Sequence, residues 1–425
     1  MRPFDKVIGY EKVKEELIQI CDILKNKEVY ETLGARMPSG VLLYGEPGLG
    51  KTLIALCFIE EAGLMTYTLR KNKGNGDFID EISDTFKKAA QNAPAIIFLD
   101  DMDKFANEDE DHLDAEEYVA VQTGIDEVRN KNVFVIATVN DIRKLPASLS
   151  RAGRFDRKIR MTAPDEGDAV KIVSHYLQDK NISDDVDIKD LVKLIGYDSC
   201  AGLETILNEA AINAGYERRK IIEMKDFVKA SLGLIVPDEE KPEECDSEEL
   251  FDMAVHEAGH LVVMEILEPG RAGMAMVRLR GHKAGAVKES TAETTRLTRY
   301  DRVLISLGGK AAEELYCPYV WRDGSKEDIE NAYRGLNEYV KYCGTMGFGL
   351  ITTPGYAADS ENLMGRSETV IHSEMEKARA KARGIIIKNR NFFELIRDEL
   401  MEKRVLLYSD IQRIRQQAGI TEVTI

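Results

Sequence analysis

Two histidines and a glutamate lie close together in the segment H-E-A-G-H at residues 256 to 260. On a helix, His256 and His260 share one face because they are four residues apart, so both imidazoles can bind one metal ion. Glu257 lies beside them and is placed to accept a proton from an attacking water. The alternative is two buried histidines beside a solvated glutamate. Because the chain has only six histidines, a chance match is improbable, and we predict a zinc hydrolase.

A helix must carry this segment, and the sequence predicts one that begins at Asp246 or Ser247, either of which can cap it. Its buried face is indicated by apolar residues at 3.6-residue spacing, namely Leu250, Ala254, Val255, Ala258, Leu261 and Val262. The helix therefore holds both imidazoles against a protein core.

Several elements are expected around that helix. The acidic stretch 237–248 contains two prolines and predicts a linker between domains. After the helix, short strands are expected at 274–279 and 284–287. Two further helices are expected to begin at Thr298 and Ser325, because an aspartate three residues later completes a capping box in each case.

A second chemical motif lies near the N-terminus, between a short apolar strand and a predicted helix. In a Walker A motif, backbone N–H groups turn towards phosphates, the lysine reaches the β and γ phosphates, and the threonine can bind Mg²⁺. A simple glycine-rich turn would need neither the lysine nor the threonine. We therefore predict ATP binding by Gly45, Glu46, Pro47, Gly48, Leu49, Gly50, Lys51 and Thr52.

The rest of the N-terminal half fits an α/β arrangement. Short strands are predicted at 41–44, 65–69, 95–99, 133–139 and 158–161, of which those at 41–44 and 95–99 are apolar runs. One helix between them has its apolar face at Ile79, Ile82, Phe86 and Ala90, and residues 166–235 are predicted to be all helix.

Polar residues follow two of these strands at the edge where nucleotides bind. Asp100 and Asp101 end the third strand, which after a Walker A motif predicts a Walker B site with Asp100 directed at Mg²⁺ through water. Asn140 ends the fourth strand.

Arg151 and Arg154 lie on a tight turn. Their spacing alone leaves two roles open: they could form a solvated surface, or they could be fingers that reach a neighbour's γ-phosphate.

Composition excludes some classes of protein. The formal net charge of −17 argues against nucleic acid or an anionic membrane as the main partner. No apolar run approaches the roughly 18 residues of a membrane span, and no signal-peptide core is present. The six cysteines form no C-x-x-C pair and are typical of reduced thiols rather than zinc ligands. We expect a cytoplasmic protein of two or three domains with no membrane span.

The order of these motifs resembles the FtsH family of ATP-dependent zinc metalloproteases from about Phe4 to Ile411. Local matches are V-I-G at 7–9, N-E-A-A at 208–211 and L-G-G-K-A-A-E-E at 307–314. The resemblance implies an α/β AAA+ P-loop domain, a parallel sheet flanked by helices, with an all-helical lid, followed by a mainly α-helical zinc metallopeptidase domain. The implied boundaries are 1–165 for the AAA+ core, 166–236 for the lid, 237–248 for the linker and 249–425 for the peptidase domain.

The resemblance also implies roles and partners. It implies Zn²⁺, ATP and Mg²⁺ as cofactors, polypeptide substrates, and a homo-oligomer that is a hexameric ring with a central pore. Asn140 would sense the γ-phosphate, and Arg151 and Arg154 would be fingers for the adjacent subunit. The adenine would be bordered by Val7, Ile8 and Gly9.

A third zinc ligand is also implied. Val263 and Ile266 stand where the metzincin extension would require glycine and histidine, so a local third ligand is absent. By family position the ligand is Asp328, whose alternative role is to complete the Ser325 capping box. Glu313 and its neighbour Glu314 are the other candidates. If Asp328 is the ligand, Asp328→Asn should weaken zinc binding, whereas glutamine at either glutamate should not.

Three departures separate this chain from the family pattern. Members usually have N-terminal membrane helices, whereas this sequence begins at the ATPase domain. Asp101 replaces the Walker B glutamate, so its carboxylate is one methylene short of the attacking water. A gapless comparison places G-N-G at 74–76 where a pore aromatic is expected, with Phe78 as the alternative gripping residue. The rival function is therefore a nucleotide-gated assembly or adaptor protein with weak ATP turnover.

Overall fold

The computed structural model describes residues 2–71, 75–106, 115–149, 153–233, 247–277, 285–290, 297–317, 325–343, 346 and 361–420. The chain divides into two compact units. The first consists of Met1–Gln178 and Tyr197–Thr205, and the second of Asp179–Gly196 and Ile206–Ile425.

The first unit contains a sheet of five parallel strands, as far as the described residues show, with the order β2-β3-β4-β1-β5. Its strands are β1 Gly40–Tyr44, β2 Met65–Leu69, β3 Ala95–Leu99, β4 Val133–Val139 and β5 Arg157–Arg160. Its helices are α1 Glu11–Lys25, α2 Lys27–Thr32, α3 Lys51–Ala62, α4 Asn75–Gln91, α5 Ala115–Val128 and α6 Glu166–Leu177. Strands β3 and β4 are buried along their whole length, which is why both are continuous apolar runs.

Helix α4 shows one correction to the sequence-based expectation. Its buried face is formed by Phe78, Ile82, Phe86 and Ala89, so the face is rotated from the predicted one at both ends of the helix. Phe78 is fully buried, and its ring packs edge-on against Phe105 with the centroids 5.2 Å apart. Because a core side chain cannot hold a passing polypeptide, Phe78 as the gripping residue is wrong.

The second unit is mainly helical. Its helices are α7 Ile188–Ile195, α8 Cys200–Tyr216 (which starts in the first unit), α9 Met224–Ser231, α10 Ser247–Leu267, α11 Arg299–Ser306, α12 Gly308–Tyr316, α13 Lys326–Tyr342, α14 Glu361–Lys388, α15 Arg390–Lys403 and α16 Tyr408–Gln417. Strands β6 Ala272–Met276, β7 Ala286–Glu289 and β8 Val405–Leu407 form an antiparallel sheet in the order β7-β6-β8. The core is built on α10, whose apolar residues are buried from Ala254 to Ile266.

Helices α10 and α12 touch through their backbones. A Cβ atom at Gly308 would lie 2.7 Å from the carbonyl oxygen of Gly259, and a Cβ at Gly259 would overlap the carbonyl of Gly308. Glycine at both positions therefore lets the two helices approach closely. This approach brings α12 directly beside the two histidines of α10.

Local signals for helix starts gave mixed results. The capping box at Thr298 is confirmed, since its side chain accepts a hydrogen bond from the backbone N–H of Asp301. The sequence predicts one helix from this cap through Leu307 to Leu315. The helix instead ends at Ser306 and α12 begins after Leu307, so the single predicted helix is two. Ser325 makes no capping hydrogen bond with its side chain, and the predicted capping box at Ser325 is wrong.

Other expectations fall partly outside the described residues. The linker region is undescribed up to residue 246, and strand β8 had no sequence-based prediction. Helix α6 groups with the first unit, whereas α7 and α9 group with the second. The four-part domain division thus stays a prediction. Among the described helices, none is both long enough and apolar enough to cross a lipid bilayer.

Candidate metal centre and nucleotide site

Three side chains from two helices of the second unit converge on one point. The Nε2 atoms of His256 and His260 are 3.0 Å apart. Oδ2 of Asp328, in the first turn of α13, lies 3.1 Å from Nε2 of His256 and 3.3 Å from Nε2 of His260. One ligand atom from each residue therefore lies within the distance that a single metal ion can bridge.

The opposite nitrogen of each imidazole is held by a hydrogen-bond partner. Nδ1 of His260 lies 2.7 Å from the carbonyl oxygen of Ile305, and Nδ1 of His256 lies 2.8 Å from Oε1 of Glu313. A ring that donates its Nδ1–H to these oxygens keeps the lone pair of Nε2 for a metal. Both rings are thus oriented towards the shared point.

The space in front of the imidazoles depends on a glycine. A Cβ atom at Gly309 would lie 2.5 Å from Nε2 of His260 and 2.7 Å from Nε2 of His256. Any side chain at this position of α12 would therefore occupy the place where the ligand nitrogens meet. Two imidazoles and a carboxylate form a donor set that zinc prefers, and this cradle leaves room for the ion.

The pKa values of the cluster follow from its burial and its hydrogen bonds. Burial lowers the pKa of His256, but hydrogen bonds to Asp328 and Glu313 outweigh that effect and raise the pKa to about 10. Burial would raise the pKa of Asp328, whereas the hydrogen bonds from both histidines hold it well below the usual range. The cluster is thus a strong site for positive charge.

Glu257 lies next to the cluster and is only 5% exposed. Burial raises the pKa of its carboxyl group, and positive charge on His260 and His256 acts in the opposite direction. A Cβ atom at Gly285, just before β7, would lie 2.5 Å from Cγ of Glu257. Glycine here leaves space for the carboxylate beside the edge strand.

The other candidates for a third ligand have different contacts. Glu314 pairs with Arg379 through atoms 2.7 Å apart. Glu313 contacts Nδ1 of His256 rather than Nε2. Sequence reasoning missed this role of Glu313, as well as Gly285 and Gly309, because each depends on contacts between elements distant in the chain.

The predicted phosphate-binding residues lie at the carboxyl end of β1 and the N-terminus of α3. Gly50 adopts a left-handed conformation with φ of 83° immediately before α3. Nζ of Lys51 lies 2.7 Å from the carbonyl oxygens of Gly45 and of Glu46, and burial lowers its pKa. Backbone N–H groups, a helix N-terminus and a buried ammonium form a donor set that fits triphosphate.

Asp100 is held next to the helix that follows the loop. Its Oδ1 accepts hydrogen bonds from Thr52 Oγ1 and Thr138 Oγ1, both at 2.9 Å. The hydroxyl of Thr138 also accepts a bond from the backbone N–H of Asp101. Thr138 was not singled out from the sequence, because it is a buried residue in a strand whose other residues are all apolar.

The other predicted residues of this site have partners within the chain. Asp101 has a positive φ of 53°, and its Oδ2 lies 2.7 Å from Nζ of Lys104. The backbone N–H of Asn140 donates to Oδ2 of Asp103 at 3.3 Å. Arg154 makes a two-pronged ion pair with Asp126, at 3.0 Å and 2.7 Å, whereas residue 151 lies outside the described residues.

The segment expected to border the adenine is anchored at its end. Val7 and Gly9 are buried and Ile8 is half-buried, and Gly9 has a φ of 73°. The backbone N–H of Tyr10 donates to Oδ2 of Asp168 at 3.2 Å. This contact was not predicted, because it joins residues far apart in the sequence.

Comparisons with known proteins assign both halves of the chain to families. Residues 41–163 match the ATPase family associated with various cellular activities (AAA), and residues 244–414 match peptidase family M41. The chain is 30% identical to the ATP-dependent zinc metalloprotease FtsH 3 of Symbiobacterium thermophilum, covering 97% of this chain and 71% of the relative. It is 31% identical to the ATP-dependent zinc metalloprotease FtsH of Ureaplasma parvum, covering 97% of this chain and 60% of the relative.

The two domains define an AAA ATPase joined to an M41 metallopeptidase. The chain belongs to the FtsH family of ATP-dependent zinc metalloproteases, so the resemblance and the predicted fold class are confirmed. The family implies zinc for the peptidase and ATP with Mg²⁺ for the ATPase, and its members act on polypeptides and typically oligomerise. The chain covers 60% to 71% of the length of the relatives that it matches, so these relatives are longer than this chain.

Proposed function

We propose that this chain is a zinc endopeptidase that uses ATP binding and hydrolysis to move polypeptide to its metal site. The observation that carries the proposal is the cluster of His256, His260 and Asp328 beside the buried Glu257. A complete Walker A motif in the same chain supports the coupling to ATP.

In this proposal the three clustered residues hold zinc. When bound, zinc supplies Lewis-acid polarisation of the scissile carbonyl and makes water a stronger nucleophile at neutral pH. Glu257 accepts the proton of the attacking water on its carboxylate and then donates it to the leaving amine nitrogen. Its burial favours this task, because a raised pKa makes the Glu257 carboxylate a stronger proton acceptor.

The substrate would lie extended along β7, where main-chain hydrogen bonds can form. Strand β7 is at the edge of its sheet in the order β7-β6-β8. Gly285 precedes this strand and lies against Glu257, so a polypeptide paired with the strand would pass the general base. Such pairing recognises the backbone and tolerates many side chains.

The ATPase roles rest on the arrangement at the carboxyl edge of the five-stranded sheet. We assign the phosphates to the backbone of residues 45–50 and to Lys51, and Mg²⁺ to Thr52 and Asp100. Asp101 would orient the attacking water, Asn140 would sense the γ-phosphate, and the adenine would lie against residues 7–9.

Arg151 and Arg154 would serve the adjacent subunit of a hexamer. The pair between Arg154 and Asp126 supports this role, because Asp126 is 46% exposed in its side chain and a neighbour's phosphate can compete for the arginine. We expect no nucleic-acid partner, given the net charge of −17. The cytoplasmic location stays a prediction from composition.

One observation favours the rival function, a nucleotide-gated adaptor with weak turnover. The carboxylate of Asp101 is paired with Lys104 and lies 3.8 Å from Arg70. A shortened acid that is held by cations is poorly placed to orient water. In that case ATP would assemble the protein without driving peptide cleavage.

One experiment separates the two functions. ATP hydrolysis and casein cleavage are measured side by side on the same preparation, with zinc added and with zinc removed by a chelator. The proposed function requires casein cleavage that needs both ATP and zinc. ATP binding without cleavage in the zinc-loaded protein would favour the adaptor.

A further inference from the structure

Ser325 directs its hydroxyl away from the helix that it precedes. It stands immediately before α13 and makes no capping hydrogen bond with its side chain. Instead, Oγ of Ser325 donates to Oε2 of Glu313 on α12 at 3.0 Å. The serine is 3% exposed, so water competes little for this bond.

Glu313 uses its two oxygens for different partners. Oε1 lies 2.8 Å from Nδ1 of His256, while Oε2 receives Ser325 and lies 3.3 Å from Nζ of Lys310. Donors on Oε2 fix the plane of the carboxylate, and that plane decides where Oε1 points. The carboxylate therefore joins α10, α12 and the start of α13.

The same turn of α13 carries the predicted third ligand. Asp328 follows Ser325 by one helical turn, and its Oδ2 lies 3.1 Å from Nε2 of His256. One nitrogen of His256 thus faces Asp328 directly, and the other faces Glu313, which Ser325 holds. Movement at the start of α13 would disturb both contacts of the same imidazole.

We infer that Ser325 is a positioning residue for the metal centre. Its hydroxyl orients Glu313, and it ties the first turn of α13, and with it Asp328, to the helix pair that holds the histidines. The inference rests on the proposed zinc site. Lys310 cannot replace the serine, because its side chain is 32% exposed and an ion pair to a flexible, hydrated ammonium fixes geometry poorly.

The test is zinc affinity, measured by competition with a chelator on the full chain. For Ser325→Ala we expect the Kd for zinc to rise about 10-fold, which is the lower end of the effect of losing a hydrogen bond that orients a metal ligand. Ser325→Thr keeps the hydroxyl and should bind within about 3-fold of the unaltered protein. Without zinc, the melting temperature of Ser325→Ala should fall no further than that of a variant that loses another buried serine hydroxyl, because each change removes one buried hydrogen bond. Ser325→Thr should melt like the unaltered protein.

A matched control is available in the same unit. Ser367 is also fully buried, and its Oγ donates to the carbonyl oxygen of Met364 within α14. Ser367→Ala removes a buried hydroxyl whose hydrogen bond stays within α14, so zinc affinity should be unchanged. A double variant of Ser325→Ala with Glu313→Gln should bind zinc no more weakly than Glu313→Gln alone, because both act through one carboxylate.

The outcomes distinguish this inference from the proposed function. If the unaltered protein binds no zinc, the proposed metal site fails. If it binds zinc and Ser325→Ala binds equally tightly, only the role of Ser325 is overturned. A loss of affinity matched by the same loss in Ser367→Ala, or accompanied without zinc by a melting temperature clearly below that of Ser367→Ala, would show a general packing effect and would also overturn it.

Discussion

The metal centre and the nucleotide site differ in what their charged groups contact. At the metal centre, donor atoms of His256, His260 and Asp328 already converge within hydrogen-bond distance of one another. At the nucleotide site, Lys51 donates to carbonyls of its own loop and Arg154 pairs with Asp126. The first site can bind its ion with little rearrangement, whereas the second must exchange existing partners for phosphate. These contacts are what we expect if, as proposed, the metal centre is complete within one chain and ATP hydrolysis depends on a neighbouring subunit.

The largest expected effect is at the general base of the metal centre. Glu257→Gln keeps the size of the side chain but cannot accept a proton, so casein cleavage should fall by about 10²- to 10⁴-fold. Zinc content and ATP turnover should not change, because the ligands and the nucleotide site are untouched. Glu314→Gln, which alters a glutamate paired with Arg379, is the control. A variant at Glu257 that still cleaves at the normal rate would assign the proton transfer to another group.

The next effect concerns the ligands themselves. Asp328→Asn should weaken zinc binding by more than the roughly 10- to 100-fold that follows loss of a hydrogen bond to a ligand. Glu313→Gln should fall within that range, since Glu313 contacts His256. The sequence alone predicted no effect at Glu313, and this contact reverses the expectation. Metal analysis after dialysis provides the measurement, and full retention of zinc by Asp328→Asn would rule out Asp328 as a ligand.

At the nucleotide site the effect should appear in mixed assemblies. In assemblies mixed one to one from Arg154→Ala and Lys51→Ala subunits, ATP turnover should recover to about one quarter of the unaltered rate, because a Lys51→Ala subunit still lends its arginine to a neighbour that binds ATP. Each variant alone should be nearly inactive. Asp126→Asn, which removes the partner of Arg154 within the chain, should keep most of its turnover as a pure assembly. A mixture that stays as inactive as either variant alone would mean that each ATPase site is self-contained.

The smallest effect concerns Asp101. The unaltered protein should bind ATP with normal affinity but hydrolyse it slowly, because the carboxylate of Asp101 is short and is paired with Lys104. Asp101→Glu should raise turnover by roughly 3- to 10-fold by extending the reach of the carboxylate. Lys104→Ala should give a smaller gain and Lys104→Arg none. Steady-state ATP hydrolysis measures all three, and lower turnover in Asp101→Glu would show that the shorter acid suits this site.

The sequence predicted most of the fold for a simple reason. Strands β2, β3 and β4 have the predicted bounds. Strands β3 and β4 are mostly apolar runs with polar residues or proline at both ends, and β2 alternates apolar residues with threonines between Gly63 and Arg70. The predicted buried face of α4 differs from the observed one, because neighbouring apolar residues such as Phe78 and Ile79 allow more than one buried face. Only packing against the sheet and Phe105 decides between them.

The sites were predictable only where their residues are close in sequence. The spacing of His256 and His260 places them on one helical face, and that information is local. Asp328 came from the resemblance, since no local rule joins it to a histidine so far upstream. Ser325 shows the limit of local rules most clearly. Its sequence pattern indicates a helix cap, but in the folded chain its hydroxyl donates a hydrogen bond to Glu313 instead.

The contrast between the two sites can be tested by dilution. Zinc affinity and ATP turnover per subunit are measured on one preparation, from concentrations at which sedimentation shows an oligomer to those at which it shows monomers. We predict that zinc affinity stays constant. ATP turnover per subunit should fall by more than about 10-fold, because each monomer loses the arginines that its neighbour supplies. Turnover that stays constant down to the monomer, or zinc binding that is lost with the oligomer, would contradict this account.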